Sequence, residues 1–144
     1  MSRRDASTGD LFAVPQPAAP VSGAMDYRTV MAHLLAEMLR ESSRDRYAVA
    51  AEASRLAGKE LSKYMLDAYT AESRETFNAP AWAIPALETA CGSHRITSWL
   101  AGVRGGRLLI GREALNAELG RLERQRDEAG QQIRALRDQL RRSK

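Results

Sequence analysis

The sequence predicts an all-α protein: a small helical domain containing a helix-turn-helix, followed by a coiled-coil helix. Three observations predict it. Residues 115–140 repeat apolar side chains at alternating steps of four and three, the seam of a coiled coil. Residues 26–103 break into short stretches with apolar residues at helical spacing, each bounded by Ser, Asp or Gly. No stretch alternates with the period of two that a half-buried strand requires.

Residues 1–24 hold three of the five prolines among Ala, Ser and Gly. So little apolar mass cannot offset the entropy of ordering, and a flexible arm is expected. The pair Leu11-Phe12 stands alone within it. The helical domain is expected over residues 25–110 and the oligomerisation helix over 111–144.

The first helix should run from Asp26, its cap, to Glu41, with Val30, Leu34, Leu35, Met38 and Leu39 on one face. Ser42-Ser43-Arg44 breaks it. Ser43 or Asp45 can cap a second, alanine-rich helix over residues 46–57. Tyr47, Ala50, Ala51, Ser54 and Leu56 or Ala57 are its expected inward residues. Gly58 ends it, as glycine does after a last helical turn. Ser62 is a good cap for a third helix over 63–72, which offers Met65, Leu66 and Tyr69 to a core. Asn78-Ala79-Pro80 opens a further helical stretch, and Pro85 within it forces a kink or a new start. Trp82, Ile84 and Leu87 supply its bulk. Gly92 closes it, and Ser93 caps a short helix with Ile96, Trp99, Leu100 and Val103 facing inward. Arg107-Leu108-Leu109-Ile110 is expected as a short extended piece able to cover the core.

The last helix begins near residue 112. Its seam is Leu115, Leu119, Leu122, Arg126, Ala129, Ile133, Leu136 and Leu140. Two apolar residues per heptad make too narrow a stripe to be buried within one helix, so a second helix is needed, most simply a copy of itself. Arg126 interrupts the seam. Its stem should lie along the apolar residues while its head reaches solvent or Asp127 or Glu123 of the partner. Gly120 and Gly130 lower helix propensity and lend weight to a rival, in which this helix folds back on its own domain.

Composition bounds the function. No apolar run approaches the ~18 residues that cross a bilayer, and no secretory signal opens the chain. The single cysteine, Cys91, excludes an internal disulfide and fits a reducing cytoplasm. The expectation is a cytoplasmic protein with no membrane partner. Residues 25–75 hold 8 basic and 9 acidic side chains, whereas residues 111–144 hold 9 and 6. That balance permits a nucleic-acid partner without demanding one.

No metal-binding or phosphate-binding pattern is present, and the two histidines, His33 and His94, have no neighbour placed for an evident relay. The sequence therefore points to no enzyme, no cofactor, no metal and no small-molecule ligand. What it does contain is helix, glycine turn, helix over residues 46–72. Small residues on the first helix let a second cross closely, and the first turn of that second helix can then face the major groove. Ser62, Lys63 and Tyr64 are the candidate DNA contacts, with Asp67 and Thr70 on nearby turns. Arg55, Lys59 and Arg74 can meet the flanking backbone. Glu60, Asp67, Glu72 and Glu75 would oppose phosphate. On residues alone a plain αα-hairpin fits as well as a DNA-reading motif.

The stretch from Arg46 to Ala101, RYAVAAEASRLAGKELSKYMLDAYTAESRETFNAPAWAIPALETACGSHRITSWLA, resembles the small helix-turn-helix regulators of Mu-like transposable phages and prophages. It is also loosely similar to the phage CII-type regulators. In such proteins a helix ending in a glycine turn leads to a Ser-Lys-containing helix, then a proline-bearing helix and a short one. The resemblance spans about residues 44–110. It implies a phage-encoded, DNA-binding regulatory protein acting on double-stranded DNA, with Ser62, Lys63 and Tyr64 as contacts. The expected assembly is a homodimer or larger coiled-coil oligomer. The alternative is a phage adaptor or assembly protein that works through its coiled coil and binds no DNA.

Overall fold

The computed structural model describes residues 15–143. They form six α-helices and one short 3-10 turn, with no strand among them. The helices are α1 (Arg28–Glu41), α2 (Arg46–Ala57), α3 (Lys63–Thr70), α4 (Ile84–Cys91), α5 (Arg95–Val103) and α6 (Arg112–Arg142); the 3-10 turn, Ala81–Ala83, leads directly into α4. The chain divides into two compact units, Met1–Leu108 and Leu109–Lys144.

Local signals place most boundaries. Asp45 caps α2 by accepting from Ala48 N at 2.8 Å, and Ser62 caps α3 by accepting from Met65 N at 3.1 Å. Gly58 and Gly92 close α2 and α4, each at φ 65° in the left-handed region that costs a glycine least. Pro85 falls in the first turn of α4, where its missing N–H removes no helical bond. α1 starts later than expected: Tyr27 is its cap residue, and Asp26 Oδ1 accepts only a long 3.3 Å bond from Arg28 N.

The core of the first unit lies between α1, α2 and α4, closed by α3 and α5. Leu35, Met38 and Leu39 come from α1, Val49, Ala50 and Ala53 from α2, Leu66 from α3 and Leu87 from α4. Leu61, in the turn between α2 and α3, is equally buried, and Ile96 anchors α5. Polar ties span the helices. Arg95 on α5 bridges Glu37 and Glu41 of α1 at 2.6 and 2.5 Å. The buried Glu88 accepts from Thr97 N at 2.9 Å and Thr97 Oγ1 at 2.6 Å, so a carboxylate of α4 caps the first turn of α5.

Three expectations are corrected. The inward face of α2 is Val49, Ala50 and Ala53, one residue out of phase from the expected set; Tyr47, Ala51 and Leu56 are exposed. Trp82 and Val30 lie on the surface, because Ala83 and Ala32 occupy the inward positions beside them. Leu109 and Ile110 are exposed. The expected flexible arm lies outside the described residues up to residue 14. Residues 17 and 18 meet the end of α5: Ala18 N donates to Val103 O at 2.9 Å, and Pro17 lies where a side chain at Gly105 would stand.

In the second unit α6 runs for 31 residues with none buried. Every large apolar member of its seam is exposed, from Leu122 and Ile133 at 49% to Leu115 at 72%. Arg126 bonds Asp127 of its own chain at 2.9 Å.

Candidate nucleic-acid interface

The α2–α3 pair is held from inside. Ser54 shares its single hydroxyl proton between Ala50 O and Leu61 O, at 2.7 and 3.0 Å, and accepts from Leu61 N at 2.8 Å. One hydroxyl thus satisfies both backbone groups of a turn residue whose side chain fills the core. The turn beyond Gly58 is therefore fixed on two counts, and α3 leaves it in a defined direction.

The outward side of α2 and α3 carries aromatic rings and cations together. Tyr64 is 71% exposed and Tyr47 62%. Lys63 Nζ lies 5.7 Å from the centre of the Tyr47 ring and 5.5 Å from that of Tyr64. Beyond Tyr64, an open apolar groove runs past Met65, Ala68 and Tyr69 to Phe77, with Arg74 stacked 5.8 Å from the Phe77 ring. Lys59 similarly sits 4.7 Å from the centre of the exposed Trp82 ring. The phase of α2 matters here. Because Val49 rather than Tyr47 points inward, Tyr47 joins this surface.

Carboxylates occupy part of the same face. Asp67 bridges Lys63 and Arg46, both at 2.6 Å. Hydrogen bonding from Lys63, opposed by desolvation and aided by Arg46, holds the Asp67 carboxyl below its ordinary range. The same bond holds the Lys63 ammonium above its own. Arg55 makes a two-pronged pair with Glu52 at 2.7 and 2.9 Å. Among the expected contacts, then, Ser62 is spent as the α3 cap, Lys63 and Arg55 are paired, and Lys59 and Arg74 lie against aromatic rings. Among the described residues Tyr64 is neither paired nor capping, and it is 71% exposed.

Sequence reading missed Tyr47, Phe77 and Trp82 as surface residues and Arg46 as the second partner of Asp67. Only the helical phase of α2 could have pointed to Tyr47. It also missed the pair formed by His33 Nε2 and Glu72, 39 residues apart and both exposed.

Other sites offer less chemistry. Burial pushes the Cys91 thiol up, against a hydrogen bond from Ser42, which keeps it a weak nucleophile. A cavity of about 290 Å³ between α1, α3 and α5 is lined mainly by apolar groups such as Met31, Leu35 and Ile96. Its polar rim is engaged: Arg28 donates to Glu72 O and Asn78 to Glu75 O. Among the described residues no three His, Cys, Asp or Glu gather to hold a metal, and no helix is long and apolar enough to cross a membrane.

Comparison with known proteins finds no family model, curated protein or solved structure that matches this chain.

Proposed function

We propose that this chain is a non-enzymatic DNA-binding regulatory protein of the phage helix-turn-helix kind, assembled as a dimer through α6. The observation that carries the reading is the joint surface of Tyr47, Lys63 and Tyr64 at the start of α3. A cation set between two exposed rings suits a nucleic acid, whose phosphates attract the ammonium while sugars and base edges meet the rings. Support comes also from the α2–α3 corner, whose locked turn presents the first turn of α3 outward.

Duplex binding measured at two salt concentrations tests it, because phosphate contacts give a steep salt slope. Lys63→Ala is expected to lower that slope by about one unit without unfolding the chain. Asp67→Asn removes a competing anion and is expected to tighten binding at low salt. No duplex binding by the parent chain, over many sequences at low salt, defeats the reading.

One observation favours a second reading, an adaptor that binds protein rather than DNA. Lys63, Arg46 and Arg55 all have carboxylate partners within the chain, which leaves less charge for phosphate. An adaptor shows no salt-dependent duplex affinity.

A further inference from the structure

The exposed seam of α6 leaves open how a second copy would lie upon it. We infer that the two α6 helices pair antiparallel, in a register that sets residues whose numbers sum to 255 opposite one another. This rests on the reading that α6 self-associates and goes beyond it by fixing direction.

Consider first the seam. In that register Leu115 faces Leu140 of the second copy, Leu119 faces Leu136, and Leu122 faces Ile133. All eight seam positions find partners, so the full apolar stripe exposed in the single chain is used. Arg126 then faces Ala129, the smallest residue of the seam. The missing bulk leaves room for the arginine stem to lie over the alanine while its head remains with Asp127, the partner it already holds. A parallel pair does the opposite. It stacks Arg126 on Arg126 in one layer, setting two like charges side by side at the centre of the coil, and leaves two alanines facing each other in the next.

The flanks agree. With Leu115 at d and Leu119 at a, the positions beside the seam include Glu118 at g and Glu123 at e. A parallel coil brings g of one helix to the following e of the other, which places Glu118 against Glu123 on both sides. The antiparallel register separates them. It also matches the ends. Residues 113–123 hold three glutamates and one arginine, and residues 132–142 hold four arginines and one aspartate. These two windows lie opposite each other when residue numbers sum to 255. A parallel pair sets acid against acid and base against base, and like charges on facing helices suppress that arrangement.

Dipolar spin-echo measurements on the full chain decide it. The background carries Cys91→Ser so that only the introduced cysteine takes a nitroxide. One label replaces Glu128, beside the proposed two-fold axis, and a second protein carries it in place of Arg141. Both positions are exposed on α6, so neither label disturbs the seam. The expected result is a short distance for the Glu128 label, about 20 Å across two helices. For the Arg141 label the expected distance is long, about 40 Å, from 27 residues of helical rise. Short distances at both sites mean a parallel pair and overturn the proposal. Sedimentation equilibrium on the same samples fixes the mass, and a mass above two chains also overturns it. A monomer with no dipolar coupling at either site removes the self-association reading beneath it, an outcome distinct from a parallel dimer.

Discussion

The two units of this chain solve the problem of an apolar residue in opposite ways. In the first, Leu35, Met38, Leu61, Leu66, Leu87 and Ile96 are each at most 1% exposed, drawn from four helices and a turn. In the second, six large apolar residues line one helix and none is covered. Burying a Leu side chain is worth roughly 1.5–3 kcal/mol, a gain the first unit makes within itself and the exposed seam of α6 has yet to make. Helices also draw most of their stability from packing rather than propensity, and Gly120 and Gly130 each cost α6 roughly 1 kcal/mol against alanine. The lesson is that the first unit holds a core of its own, whereas the proposed pairing of α6 would make the stability of the second depend on concentration.

The largest expected effect breaks the second half of that contrast. Leu122→Asp places a charge in the seam with no partner. It is expected to abolish association and to lower the helical signal of α6, while the cooperative melting of the first unit stays where it was. Sedimentation equilibrium with far-ultraviolet circular dichroism checks both. A parent chain that is monomeric at high micromolar concentration would leave the contrast without meaning.

The next effect acts on the other unit. Leu87 is fully buried on α4 between α1 and α2, and Leu87→Ala is expected to cost about 2–5 kcal/mol by loss of contacts and creation of a cavity. The midpoint of denaturant unfolding reads it. Association through α6 should survive, and loss of both together would show that the units do not fold independently.

Ser54→Ala sharpens the picture of the first unit. It strands the N–H and C=O of Leu61 at a half-buried turn, at an expected cost of about 1–3 kcal/mol. Ser54→Thr keeps the hydroxyl and is expected to recover part of that loss. Chemical denaturation of the pair of variants measures both.

The smallest effect is a pH dependence confined to the first unit. The Asp67 carboxyl is held below its ordinary range, so its ionised form is favoured by folding. Its contribution is full above the ordinary carboxylate range and is lost as pH falls through its own lowered value. The group is about a third exposed, so the loss should be that of a surface ion pair. Comparing acid unfolding of the parent with that of Asp67→Asn isolates it, and identical profiles would show that the bridges to Lys63 and Arg46 contribute nothing.

What the sequence makes legible follows from the range over which each signal acts. Caps and stops are local, and Asp45, Ser62, Gly58 and Gly92 mark their helix ends as expected. The long final helix is also plain, because a heptad repeats its message. The phase of α2 was not legible. In RYAVAAEASRLA alanines occupy every face, so no apolar asymmetry tells Val49 from Tyr47, and the choice is made by what α4 offers across the core. Trp82 misleads for a related reason: its ring adds bulk to a pattern, yet the 3-10 turn directs the small Ala83 inward instead. The ties from Arg95 to Glu37 and Glu41, and from Arg46 to Asp67, join residues 21 to 58 positions apart. No spacing rule reaches that far. The candidate interface is assembled from such distant pieces, which is why its cations were legible as residues but their neighbours were not.

The Ser54–Leu61 latch has a further consequence. Swinging α3 away from α2 would pull Leu61 out of the core and break both of its hydrogen bonds to the Ser54 hydroxyl in a single movement. The backbone beneath Lys63 and Tyr64 is therefore preorganised before any partner arrives. A partner that docks there loses little free energy to ordering the chain, so its affinity is governed by complementarity and its arrival rate by diffusion and charge rather than by a folding step.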